Sequence, residues 1–160
     1  MTTILRFLEI LALGTWVGAI VFLSFVVAPG AFATLATREQ AGAVVGMALA
    51  RLHLLGYVAG VVALAARGLR MRSASALIGP AGIAVILMLV LTLISQQFIS
   101  ARMTDLRAQM AAAHGSIDAM PRESALRVEF GRLHGASTAM ELAVLLLGLT
   151  ALFLVVANHR

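Results

Sequence analysis

The chain has no cysteine and no lysine, only 12% charged residues, and a single tryptophan and a single tyrosine among 160 residues. Without cysteine there is no disulfide, no thiolate metal site and no thiol nucleophile. The 12 basic residues are all arginine, and they fall mainly at the ends of apolar runs. That placement, with no aromatics interleaved among the basic residues, fits flanks of membrane spans and excludes a nucleic-acid surface despite the net charge of +5. No GxSxG, HExxH, P-loop or dinucleotide fingerprint occurs, so no enzyme activity is expected.

What the chain has in excess is apolar surface, at 61% hydrophobic residues and a mean hydropathy of +1.00. A soluble domain of this size cannot bury that much. Four apolar runs stand out, at about 4–28, 42–66, 74–99 and 133–157, each long enough to cross a hydrocarbon core of roughly 30 Å at about 1.5 Å per helical residue. Pro29-Gly30 should end the first run, and Pro80 should sit in the first turn of the third. The expected fold is all-α: a single membrane domain over residues 1–160, an integral bundle of four transmembrane helices. Between helices 3 and 4 lies the polar connection 100–132. There Met103, Leu106, Met110 and His114 recur at helical spacing, which predicts an amphipathic extramembrane extension broken at Gly115. Pro121 should open the following helix.

Arg67, Arg70 and Arg72 crowd one short loop, which places that loop and both termini in the cytoplasm of a bacterial inner membrane. The expected partners are the lipid bilayer and further copies of the chain in a homo-oligomer, and Gly14/Gly18, Gly42/Gly46 and Gly56/Gly60, with Gly135/Ala139 a fourth small pair, would let backbones approach within the bundle or across that oligomer.

Ionisable groups inside spans are costly, so each is a candidate for function. Glu9, Arg51, His53 and Glu141 qualify. Arg51 and Glu141 lie about 13 Å and about 12 Å below the same face, counting 1.5 Å per residue. Matched depth predicts a buried Arg51–Glu141 charge pair. Glu9 has Arg6 as its near neighbour in sequence, and His53 is expected to bond to an adjacent group. His134 opens the fourth run beside Gln96 and Gln97, which close the third, so an amide from this pair or a backbone carbonyl nearby should fix its ring. Met103, Met110 and His114 are the thioether and imidazole groups a soft metal ion would use, although the same positions make an ordinary apolar stripe.

Residues 14–18 (Gly-Thr-Trp-Val-Gly) with 25–32 (Phe-Val-Val-Ala-Pro-Gly-Ala-Phe), and Arg127-Val128-Glu129-Phe130-Gly131-Arg132-Leu133-His134-Gly135-Ala136-Ser137, resemble the transmembrane protein 205-like family, also known as domain of unknown function 4149. The resemblance implies a small helical membrane bundle and brings no established reaction. By position it marks Trp16, Phe130, Arg132, His134, Gly135 and Ser137 as motif residues. Glu141 departs from the neutral polar residue expected there. The leading functional expectation is transport or channel-like handling of a small solute or soft metal species. The alternatives are a haem- or metal-binding redox protein and a ligand-free scaffold.

Overall fold

The structure is a computed structural model that describes residues 2–114, 120–121 and 123–157. Four long helices account for nearly all of it: α1 (Thr2–Thr34), α2 (Arg38–Met71), α3 (Pro80–Ala113) and α4 (Ala125–Ala157). They run up and down in a ring. α1 and α3 each pack against both α2 and α4, and neither diagonal pair of helices touches through its backbones. The connection 35–37 and the start of α4 lie at one end, here called distal. Thr2, Ala157 and the connection 72–79 lie at the other, the terminal end.

Local chemistry sets the boundaries. Thr37 caps α2, its side chain accepting from the Gln40 N–H at 3.1 Å. Arg72 ends that helix in the left-handed conformation, φ 48°. Pro80 opens α3 at its first position, where the missing N–H costs nothing. Arg6 donates to the carbonyls of Val155 and Val156 at 2.9 and 3.1 Å, satisfying acceptors that the end of α4 leaves open. The helices are longer than the apolar runs suggest. α1 does not stop at Pro29: a π-helical turn at Leu23–Val27 absorbs the hydrogen bond the proline cannot make, and the helix continues to Thr34. The third span begins at Pro80, after a 3-10 turn at Ala74–Ile78. α4 begins at Ala125 instead of Pro121. The expected extension of α3 is present as helix Ala101–His114, while Gly115 and the side chain of His114 lie outside the described residues.

On α2, Arg70 and Arg51 are 19 residues apart, about 28 Å along the axis, close to the roughly 30 Å of a hydrocarbon core. Between these levels the outer surface is apolar, with Phe7, Leu54, Leu146 and Phe153 all exposed, and Phe25 and Phe98 mark its distal edge. Beyond Arg51 the helices carry on for about 20 Å. There Arg102 and Glu129 form a two-bond ion pair between α3 and α4 at 2.8 and 3.1 Å. Leu106, Met110 and Met120 fill a small core farther along the same extension.

Lipid supplies little hydrophobic drive between helices, so close packing has to hold them. The main core joins all four helices through Leu13, Trp16, Ile20, Leu52, Val85, Met88 and Val144. Glycines make the tight contacts. A Cβ on Gly56 would lie 2.5 Å from the Trp16 ring, one on Gly60 2.6 Å from Leu89, and one on Gly148 2.6 Å from Val17. Gly14 and Gly18 instead face open space. Gly56→Ala should therefore lower the melting temperature of the detergent-solubilised protein, at an overpacking cost of about 1–3 kcal/mol. Gly14→Ala should leave it unchanged. Equal melting temperatures for the two variants would contradict the seating of Trp16 against Gly56.

Candidate functional site

Three polar side chains meet near the centre of the ring, one each from α2, α3 and α4. His53 is fully buried. Its Nε2 lies 2.7 Å from Glu141 Oε1 and its Nδ1 lies 2.7 Å from Gln96 Oε1. The imidazole therefore bridges α2 and α4, whose backbones do not touch. Gln96 sits in a second π-helical turn, Ser95–Ser100, which re-aims side chains that a regular helix would carry elsewhere. Depth can be counted from the ends. His53 is two residues, about 3 Å, on the terminal side of Arg51, and Glu141 is about 24 Å from Ala157. The cluster thus lies in the hydrocarbon layer, just beneath its distal edge.

Proton accounting follows from donor and acceptor types. A Gln carbonyl oxygen only accepts, so Nδ1–H donates to Gln96. A 2.7 Å Nε2–Glu141 contact requires a shared proton between the two atoms. That proton can rest on nitrogen, giving an imidazolium–carboxylate pair, or on oxygen, giving two neutral groups, and the sum of charges is zero either way. A pair of zero net charge is the inexpensive state at this depth. Gain or loss of a single proton would leave an uncompensated charge below the headgroups.

Unspent polar capacity borders the cluster. Trp16 Nε1, on the ring seated one turn from His53, and Ser95 Oγ, beside Gln96, are buried without a hydrogen-bond partner among the described residues. Tyr57 donates to the Thr92 carbonyl at 3.4 Å, one turn toward the terminal end.

A second polar cluster sits at that end. Glu9, 2% exposed, pairs with Arg67 at 3.1 Å and Arg70 at 2.9 Å, joining α1 to α2. Arg67 also donates to the Ala76 carbonyl at 2.8 Å, tying in the 72–79 connection. Glu9 does not use Arg6, which is spent on the end of α4.

The expected Arg51–Glu141 pair is not formed. Residues 51 and 53 are separated by roughly 200° around the helix, so they cannot face the same way. Arg51 is exposed at the distal edge of an apolar groove between α1 and α2, in phase with Leu54, Val58 and Val62. His53 shares the inward face with Gly56, Gly60 and Ala63. That small-residue face was the signal that could have picked His53 as the partner of Glu141. The expected bond from the His134 ring to an amide or a backbone carbonyl is likewise not formed among the described residues. Gln96 serves His53, Gln97 is exposed, and the His134 ring stacks on Phe130 at 6.5 Å between centroids, about 10 Å beyond Glu141 at 1.5 Å per residue. Of the other motif residues, Trp16 and Ser137 are buried, while Arg132 and Gly135 are exposed. Met110 is packed among Leu106 and Met120, and Met103 is half-buried. No group of three or more His, Asp or Glu that could hold a metal ion occurs among the described residues.

Comparison with known proteins gives one result at the level of the family. Residues 11–112, from the middle of α1 almost to the end of α3, match the family described as Domain of unknown function (DUF4149). No curated protein and no solved structure matches the chain. The matched stretch covers well over half of the sequence and includes Trp16, His53 and Gln96, and on that ground the chain belongs to the DUF4149 family.

Proposed function

We propose that this membrane protein is a small transport protein that links movement of a solute to a proton, with His53, Glu141 and Gln96 as the proton-carrying site. The observation that carries this reading is the 2.7 Å His53–Glu141 contact held in the hydrocarbon layer by Gln96. An intramembrane carboxylate–imidazole pair is the arrangement from which proton relays are built, because each partner can hold the proton while the other stays compensated. Protonation of both groups would replace a neutral pair with a cation and favour its exposure to water, which supplies a reason for the ring of helices to open at this level. A structural clamp would use the same contact, and what favours a moving part is the bordering pair of unspent polar atoms and the π-helical turn.

The haem and soft-metal readings draw less support. Both ring nitrogens of His53 are engaged, and Met110 is enclosed by apolar side chains. An enzymatic role is not part of the proposal. The likeness of residues 127–137 to transmembrane protein 205-like proteins falls outside the matched segment and belongs to the same proposal. The open Gly14/Gly18 face suits contact with a second copy of the chain.

Transport is tested by charge movement. Proteoliposomes on a solid-supported membrane should give a transient current after a step from neutral to mildly acidic pH, and Glu141→Gln should abolish most of it. Identical currents from the two proteins would contradict proton handling at this site.

The proposal also puts the terminal end in the cytoplasm of a bacterial inner membrane, because Arg67, Arg70 and Arg72 cluster there. A cysteine at Ser73 should react with an impermeant maleimide in inverted vesicles and not in intact spheroplasts. The reverse pattern would invert the topology.

A further inference from the structure

At the distal end, beyond the lipid, all four helices contribute to one pocket of about 310 Å³. Among the described residues its lining carries Arg38 and Arg107 with one carboxylate, Glu39, while Arg127, also in the lining, donates to the Met120 carbonyl at 2.7 Å, and the stacked rings of Phe130 and His134 form one wall. Arg107 is the residue the pocket is built around. It is half-buried, and its guanidinium lies 5.3 Å from the centre of the Phe130 ring. One N–H donates to the Gly42 carbonyl at 3.0 Å. The lack of side chains at Gly42 and Gly46 makes room for it, since a Cβ there would come within 3.2 and 3.1 Å of the guanidinium nitrogens. The Gly42/Gly46 pair thus cradles an arginine inside the protomer.

Arg107 has no ion-pair partner among the described residues, which form such pairs at His53–Glu141, Arg67–Glu9, Arg70–Glu9 and Arg102–Glu129. A partly desolvated cation with one neutral acceptor and a ring beneath it has donors left to give. The first turn of α2 opens on the same space and adds the positive end of a 34-residue helix. Gly42 lies nine residues, about 13 Å, beyond Arg51 on α2, which places the pocket in water beyond the hydrocarbon edge.

We infer that this pocket binds a small oxyanion carrying phosphate or carboxylate groups, gripped by Arg107 and Arg38 across the ring of Phe130. Guanidinium forks match both kinds of group, and the volume holds a small organic anion. Glu39 is the opposing charge, and its removal raises affinity. The binding claim is independent of proton-linked transport and is measured without it.

The test is calorimetric titration of the full-length, detergent-solubilised protein with two probes, inorganic pyrophosphate and citrate. At least one should bind, more weakly as salt rises. Arg107→Gln should weaken it about tenfold or more, and Glu39→Gln should tighten it. The same titration in nanodiscs separates the two sources of such a group. Unchanged binding in phosphatidylcholine and phosphatidylglycerol discs assigns the site to a soluble anion. Loss of probe binding only in phosphatidylglycerol assigns it to a lipid headgroup phosphate, and both results support the pocket. Absence of binding by both probes in detergent, or affinities that neither substitution changes, would overturn the proposal.

Discussion

Hydrocarbon offers no hydrogen bond, so every polar side chain carried into it has to find its partner within the protein. His53, Glu141 and Gln96 answer that constraint together, and the answer ties three of the four helices at one level. Apart from the Glu9 ion pairs near the terminal end and the Tyr57–Thr92 bond, contact between helices in the layer relies on glycine surfaces and dispersion, as where Trp16 lies on Gly56 and Val17 on Gly148. Such contacts are individually weak and set no register along the axis. The imidazole bridge does set it, since a slip of α4 by one residue would turn Glu141 away from the centre.

The same constraint explains the division of the molecule into levels. Near the terminal end Glu9 is matched by two arginines, and the loop between α2 and α3 is fastened through one of them. Beneath the distal edge a single neutral pair suffices. Beyond that edge, where water can share the cost, Arg51 is exposed and Arg107 lies in a pocket without an ion-pair partner among the described residues. Beneath the distal edge charge is thus paired within the protein, and beyond it Arg107 is where a ligand can contribute.

Much of this architecture was legible in the sequence, because hydropathy and chain length determine spans directly. The four runs and the helical extension after residue 100 follow from hydropathy and spacing, and that Glu9, His53 and Glu141 need partners inside the protein follows from cost arguments on single residues. The pairings did not follow. Axial depth alone matched Arg51 to Glu141, and only the angular position on α2, marked by Gly56, Gly60 and Ala63, separates the inward His53 from the outward Arg51. That Gln96 serves His53 was not legible, because the π-helical turn that redirects it leaves no clear trace in composition. The continuation of α1 past Pro29 was hidden for the same reason. Arg107 was invisible as a site residue, since its cradle joins glycines on α2 with a phenylalanine on α4.

The most direct measurement of the central bridge is a thermal-unfolding cycle on the detergent-solubilised protein with His53→Leu, Glu141→Leu and the double variant. If the bridge holds the ring together, each single change strands a polar group in the core and costs about 3–5 kcal/mol. The double variant then loses clearly less than the sum, with a coupling of about 1 kcal/mol or more. Additive losses would show that His53 and Glu141 do not depend on each other, and the bridge as the organising contact would have to be given up.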